Sequence, residues 1–168
     1  MNTILAADRN WGIGRDGGLL THLPEDMKYF RTTTKDKVVV MGRKTLESFP
    51  GGNPLKNRVN IVLTADKTYK KEGVLLCHNI EEVLEELKKY QDDQIYIIGG
   101  GVVYKEFLPY CNTAYVTALD ADLQPDTWFP DLNKEEGWVL KEKGEEKEYE
   151  GLKFRFTTYI NENAKNWR

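Results

Sequence analysis

Residues 95–104 read IYIIGGGVVY, four apolar or aromatic side chains followed at once by Gly99, Gly100 and Gly101. An unbroken run of this kind suits a strand covered on both faces, as strands of parallel sheets are. The glycines stop that strand and let the chain turn into a helix over Val102 to Leu108. The same rhythm recurs on either side. Strands are expected at Thr3 to Ala7, Val38 to Met41, Val59 to Leu63, Val74 to Leu76 and Ala114 to Leu119. Helices are expected from Pro24 to Thr33, Arg43 to Ser48 and Ile80 to Tyr90, the last opened by Asn79 and Glu82 as a capping box. The pattern predicts an α/β fold with a mostly parallel central sheet flanked by helices. Near the end, Trp138 to Lys143 and Leu152 to Ile160 read as an antiparallel hairpin with Gly144 to Gly151 as its solvated tip. Asp8 to Leu23, Pro50 to Asn57 and Asp120 to Asn133 read as irregular connections or binding loops.

With 168 residues and no repeat or low-complexity linker, the chain is expected to form one domain, 1–168. Its 24 basic and 27 acidic residues give a formal charge of −3, which offers no net field for nucleic acid or an anionic membrane. No apolar run approaches the roughly 20 residues that span a bilayer. MNTILAADRN meets charge at Asp8 and Arg9 too soon for a secretory leader, so a cytoplasmic location is expected. Cys77 and Cys111 lack CxxC spacing and read as ordinary thiols.

Chemistry concentrates at four places. The Gly99–Gly101 turn is not GxGxxG, yet it allows backbone amides close to a phosphate at a helix start; a plain tight turn is the alternative. In VVVMGRKT, residues 38–45, Gly42 precedes Arg43, Lys44 and Thr45 at another helix start. Cations there oppose the helix dipole unless an anion sits among them, although a solvated basic pair is the simpler reading. It is not a Walker A loop. In HLPEDMKYFR, residues 22–31, Pro24 suits the first helical position, and Glu25 and Asp26 complement the dipole. Helical spacing groups Asp26 with Met27 and Phe30, so this carboxylate turns toward apolar surface and needs a hydrogen-bonding partner. Arg58 is either a surface charge or a bidentate carboxylate clamp. His22 and His78 have no partners at metal-ligand spacing, so no metal is expected, and there is no nucleophile elbow.

In order, ILAADRNWGIG, LPEDMKYFR, VVVMGRKTLES, NRVNIVLT, IYIIGGGVVYKEFLP and YVTALDADLQPDTWFPD resemble the dihydrofolate reductase family over essentially the whole chain. The resemblance implies that fold, with an antiparallel C-terminal strand. It implies that Asp26, supported by Thr117, hydrogen-bonds the pterin ring nitrogen and 2-amino group. Leu5, Ala6, Met27, Phe30, Phe49, Leu55 and Ile98 would line the folate pocket, and Arg58 would pair with the α-carboxylate of the glutamate tail. For the cofactor, Ala7, Ile13 and Gly14 match nicotinamide contacts. Gly42, Arg43, Lys44 and Thr45, with Gly99, Gly100, Gly101, Val102, Val103 and Tyr104, would hold the phosphates. Leu63, Thr64, His78 and Arg43 match the surroundings of the adenosine 2′-phosphate, and Asp126 a partner of the loop near Gly14. A cis peptide between Gly99 and Gly100 is also implied.

The implied reaction is hydride transfer from NADPH to C6 of 7,8-dihydrofolate with protonation at N5, by a monomer acting on a small molecule. The chain departs from many members at Leu20 and Thr21, where a Pro-Trp pair is usual, so a more open and wetter folate pocket is expected. A riboflavin-pathway pyrimidine reductase is the alternative enzyme, and a noncatalytic nucleotide-phosphate-binding protein the alternative of another class.

Overall fold

Ile95–Gly99 lies inside the sheet, flanked on both sides by parallel strands, in the computed structural model, which describes residues 1–168. In chain order the elements are β1 (Asn2–Ala7), β2 (Gly12–Gly14), α1 (Pro24–Thr34), β3 (Val38–Gly42), α2 (Arg43–Glu47), β4 (Val59–Leu63), β5 (Leu75–Cys77) and α3 (Ile80–Leu87). Then follow β6 (Ile95–Gly99), α4 (Gly101–Phe107), β7 (Thr113–Leu119), β8 (Thr127–Trp128), β9 (Trp138–Lys143), β10 (Lys147–Tyr149) and β11 (Leu152–Asn161). The main sheet runs β10-β11-β7-β1-β6-β3-β4-β5, with β9 also against β11. All pairings from β7 to β5 are parallel, and those of β11 with β7, β9 and β10 are antiparallel.

The apolar runs follow from burial on both faces. In β3, Val38 and Val40 join Phe107 of α4 and Val83 and Leu87 of α3 in one cluster. Val39 and Met41 join Leu46 of α2 and pack beside Tyr29 and Phe30 of α1 in the other. Alternation by two thus sends successive side chains of β3 into two cores, so both faces of this strand are apolar. Cys77 and Cys111 are buried and unpaired; burial pushes their thiols up to about 11 and about 12, so neither is a ready nucleophile.

Several boundaries differ from the sequence reading. α3 stops at Leu87 because the amides of Lys88, Lys89 and Tyr90 reach back only three residues, tightening the end of the helix. At its start Asn79 Oδ1 accepts the Glu82 N–H at 2.8 Å, while Glu82 caps the His78 N–H rather than that of Asn79. The expected solvated tip contains β10, and the long β11 pairs first with β10 and then with β9. Asp8–Leu23 and Asp120–Asn133 are not wholly irregular either, because β2 and β8 pair, Gly12 opposite Trp128. β2, β8 and β10 are two or three residues long and hold no apolar run, whereas β5, equally short, lies in one.

Gly12 shows why a glycine stands there. A Cβ on it would fall 2.1 Å from Pro125 Cγ, and its N–H donates to Asp8 Oδ1 at 2.8 Å. Gly12→Ala is therefore expected to cost about 1–3 kcal/mol and to pry β2 from β8. A urea unfolding midpoint checks this; an unchanged midpoint would mean that Pro125 yields freely.

Candidate active site

Parallel pairing brings the carboxyl ends of β1, β6, β3, β4 and β5 to one edge, in that order across the sheet. The order of the edge residues is therefore Ala7, Gly99, Gly42, Leu63 and Cys77, with Thr64 and His78 just beyond the last two. Four strand spacings of about 4.8 Å make a track of roughly 19 Å, enough for an extended dinucleotide. Midway along it, α2 begins at Arg43 and α4 at Gly101, and the first amides of each helix have no acceptor within it. The Gly99–Gly100 peptide is cis. A Cβ on Gly99 or Gly100 would come within 3.4 and 3.5 Å of Thr45 Oγ1, and one on Gly101 within 2.8 Å of Thr127 Cγ2, so the two helix starts and β8 are close-packed around the turn. Val103 and Tyr104 are buried, whereas Val102 is 76% exposed. Lys44 is exposed and has no carboxylate partner. Free amides, small residues and an unpaired lysine fit a pyrophosphate.

Asp26 sits in the first turn of α1, where Pro24 supplies the preset start. Its half-buried carboxylate accepts the Thr117 hydroxyl proton at Oδ1, 2.6 Å away. Burial pushes its pKa above the ordinary carboxylate range, and the Thr117 hydrogen bond pulls it partly back. Oδ2 accepts no protein hydrogen bond, yet no sealed side-chain oxygen lacks a partner, so Oδ2 is open to solvent. Ala6 pairs in register with Thr117 and shares its side of the sheet, packed beside Leu23 and Leu119. Leu5 stands with Ala7 and Tyr104 in the core of the opposite face, so of these neighbours Ala6 is the one on the Asp26 side. The Tyr104 hydroxyl donates to Ile4 O at 2.9 Å beneath the Gly99 turn.

Several of the apolar residues expected in the folate lining come together. Phe30, Phe49 and Leu55 pack against the cluster that contains Ile98, while Met27 is 39% exposed at the rim. Arg58 is preset rather than free: Nε donates to Lys56 O at 2.9 Å and Nη1 to Thr34 Oγ1 at 3.0 Å. Three of its five N–H bonds remain, a donor edge for a carboxylate. Beyond β4, Arg43 meets Asp66, and His78 Nδ1 lies 2.8 Å from Thr64 O. No group of three His, Cys, Asp or Glu side chains comes together as a metal site.

A family model described as dihydrofolate reductase matches residues 1–161. The chain belongs to the dihydrofolate reductase family. It is 40% identical over 138 residues to dihydrofolate reductase of Haemophilus influenzae, covering 82% of each chain. It is 33% identical over 163 residues to that of Bacillus subtilis, covering 96% of this chain and 94% of that one. Among solved structures it resembles dihydrofolate reductase from Enterococcus faecalis complexed with NADP(H) and RAB-propyl, with TM-score 0.84, 36% identity, and 95% and 94% of the two chains covered.

In this dihydrofolate reductase family member the loop beside the track is tied to the segment around β8. Asp126 donates its N–H to Gly14 O and accepts the Asp16 N–H at 2.9 Å, which with the Thr127 hydroxyl holds its carboxyl below the ordinary range. Ile13 packs partly against the core, and Leu20 and Thr21 are half-buried. Three supports were not legible beforehand. Buried Asp8 accepts from the amides of Asn10, Gly12 and Leu123, fixing the loop's root. Thr34 orients Arg58, and Tyr29 packs its ring 4.4 Å from that of Phe156. Only Tyr29 carried a signal, its place three residues after Asp26 on the helix.

Proposed function

We propose that this chain reduces 7,8-dihydrofolate with NADPH, placing hydride on C6 and a proton on N5, and that Asp26 and Thr117 hold the pterin for that step. The observation that carries the reading is the Asp26 carboxylate, committed at Oδ1 to Thr117 and open at Oδ2 to solvent. Oδ2 is free to accept from the ring N–H and 2-amino group of a pterin. The negative charge then makes the bound pterin more basic. Asp26 grips the edge far from N5, so water is the immediate proton donor. NADPH supplies the hydride, and the protein contributes position and electrostatics.

Ala7, Ile13 and Gly14 take the nicotinamide end, and the Gly42–Thr45 and Gly99–Tyr104 turns the pyrophosphate. Arg43, Leu63, Thr64 and His78 surround the 2′-phosphate. Ala6, Met27, Phe30, Phe49, Leu55 and Ile98 surround the folate body, with Arg58 on its α-carboxylate, while the Leu5 side chain lies on the opposite face of the sheet. The acting form is a cytoplasmic monomer without a nucleic-acid partner; no helix here is long and apolar enough to cross a membrane.

Loss of NADPH absorbance on adding dihydrofolate tests the reading, and loss only with a phosphorylated ribosylaminopyrimidine would overturn it. NADPH should be preferred over NADH. Arg43→Ala should raise KM for NADPH roughly ten- to hundredfold, the worth of a hydrogen-bonded charge, while KM for NADH stays put. Steady-state kinetics with both cofactors checks this.

A further inference from the structure

We infer that Asp66 limits this chain's preference for NADPH over NADH by competing with the 2′-phosphate for Arg43 and by accepting the ribose 2′-hydroxyl of NADH; this rests on the cofactor reading above. Arg43 is already engaged. Its Nη1 lies 3.2 Å from Asp66 Oδ2, its Nε lies 3.3 Å from Glu47 Oε1, and one face covers the Tyr69 ring at 4.0 Å. One cation therefore serves two carboxylates before any phosphate arrives.

Asp66 is not free to swing aside. Its Oδ1 accepts the Thr68 N–H at 2.9 Å and the Thr68 hydroxyl at 2.6 Å, which aims Oδ2 at Arg43. Its own N–H donates to Thr64 Oγ1 at 3.3 Å, so the carboxylate is built onto the end of β4. His78 has one ring nitrogen already engaged: Thr64 O can only accept, so Nδ1, 2.8 Å away, donates its N–H there. Glu82, on the His78 N–H at 2.7 Å, adds a third carboxylate to this corner. Lys44, Lys67, Lys70 and Lys71 have no carboxylate partner and are the remaining nearby cations in the sequence.

A 2′-phosphate brings nearly two negative charges to this place, whereas a 2′-hydroxyl brings a donor. An acid at this position of a nucleotide site favours the hydroxyl. Asp66→Asn removes the charge but keeps an acceptor for Thr68, so the loop should hold its shape.

The test measures the binding of adenosine 2′,5′-bisphosphate and of adenosine 5′-monophosphate by calorimetry, alongside KM for NADPH and NADH, in the parent, Asp66→Asn and Arg43→Ala. Asp66→Asn should tighten the bisphosphate and lower KM for NADPH roughly three- to tenfold at low salt, less at high salt, with kcat unchanged and no gain for the monophosphate or NADH. An unchanged ratio between the two nucleotides, or weaker bisphosphate binding, overturns the inference and makes Asp66 a support for Arg43. If Arg43→Ala also leaves that ratio unchanged, the cofactor reading itself falls. If Arg43→Ala erodes it and Asp66→Asn does not, only the role of Asp66 falls.

Discussion

Asp26→Asn is expected to lower kcat/KM for dihydrofolate by roughly two orders of magnitude or more near neutral pH, with partial recovery in acid, where the substrate arrives already protonated. The asparagine can still accept from Thr117, so geometry survives while the charge does not. Stability should move the other way. Burial raises the folded pKa above the unfolded reference of 3.8, so the folded state binds the proton more readily. Stability therefore falls as pH rises from that value through the raised one, and at neutral pH the ionised Asp26 opposes folding. Asp26→Asn should melt at or above the parent temperature at pH 7, with the difference vanishing in acid. Undiminished neutral activity would remove Asp26 from the mechanism, and a lower melting temperature would make its charge a structural support.

Arg58→Ala should raise KM for dihydrofolate about 10- to 150-fold, the range expected for losing charged hydrogen bonds, with a smaller change in kcat. Two features of the structure make the effect specific. Thr34 keeps a partner, because its hydroxyl also donates to Phe30 O at 2.8 Å, so the fold should tolerate the change. Burial and the neighbouring Arg31 already disfavour the charge on Arg58, which increases what an incoming carboxylate gains there. A reduced pterin lacking the glutamate tail is the control. If it loses as much as dihydrofolate does, Arg58 acts on pocket shape rather than on the tail.

Much of this molecule was legible from local pattern. Val38–Met41 and Ile95–Ile98 announced strands covered on both faces, and the structure buries every one of these side chains. Pro24 and the acids after it marked the start of α1, and Asn79 that of α3. Leu5 and Ala6 both match the folate lining by resemblance, yet strand alternation sends their side chains to opposite faces. β2, β8 and β10 left no signal because they are short and hold no apolar run, unlike the equally short β5.

Strand and helix signals, turn residues and the likeness to a family reside in short stretches, because backbone propensity and side-chain alternation act over a few residues. The alternating pattern therefore reached the parallel sheet, its glycine turns and the residues at its edge. What lay beyond it was how distant stretches meet. Thr117 reaches Asp26 across 91 positions only because α1 lies over β7, and Arg43 is engaged by Asp66 across 23 only because β3 and β4 run side by side. Whether a carboxylate is half-buried or an arginine already paired depends on which segments packing brings together. No local pattern encodes that, since the energy of those contacts exists only once the sheet has formed.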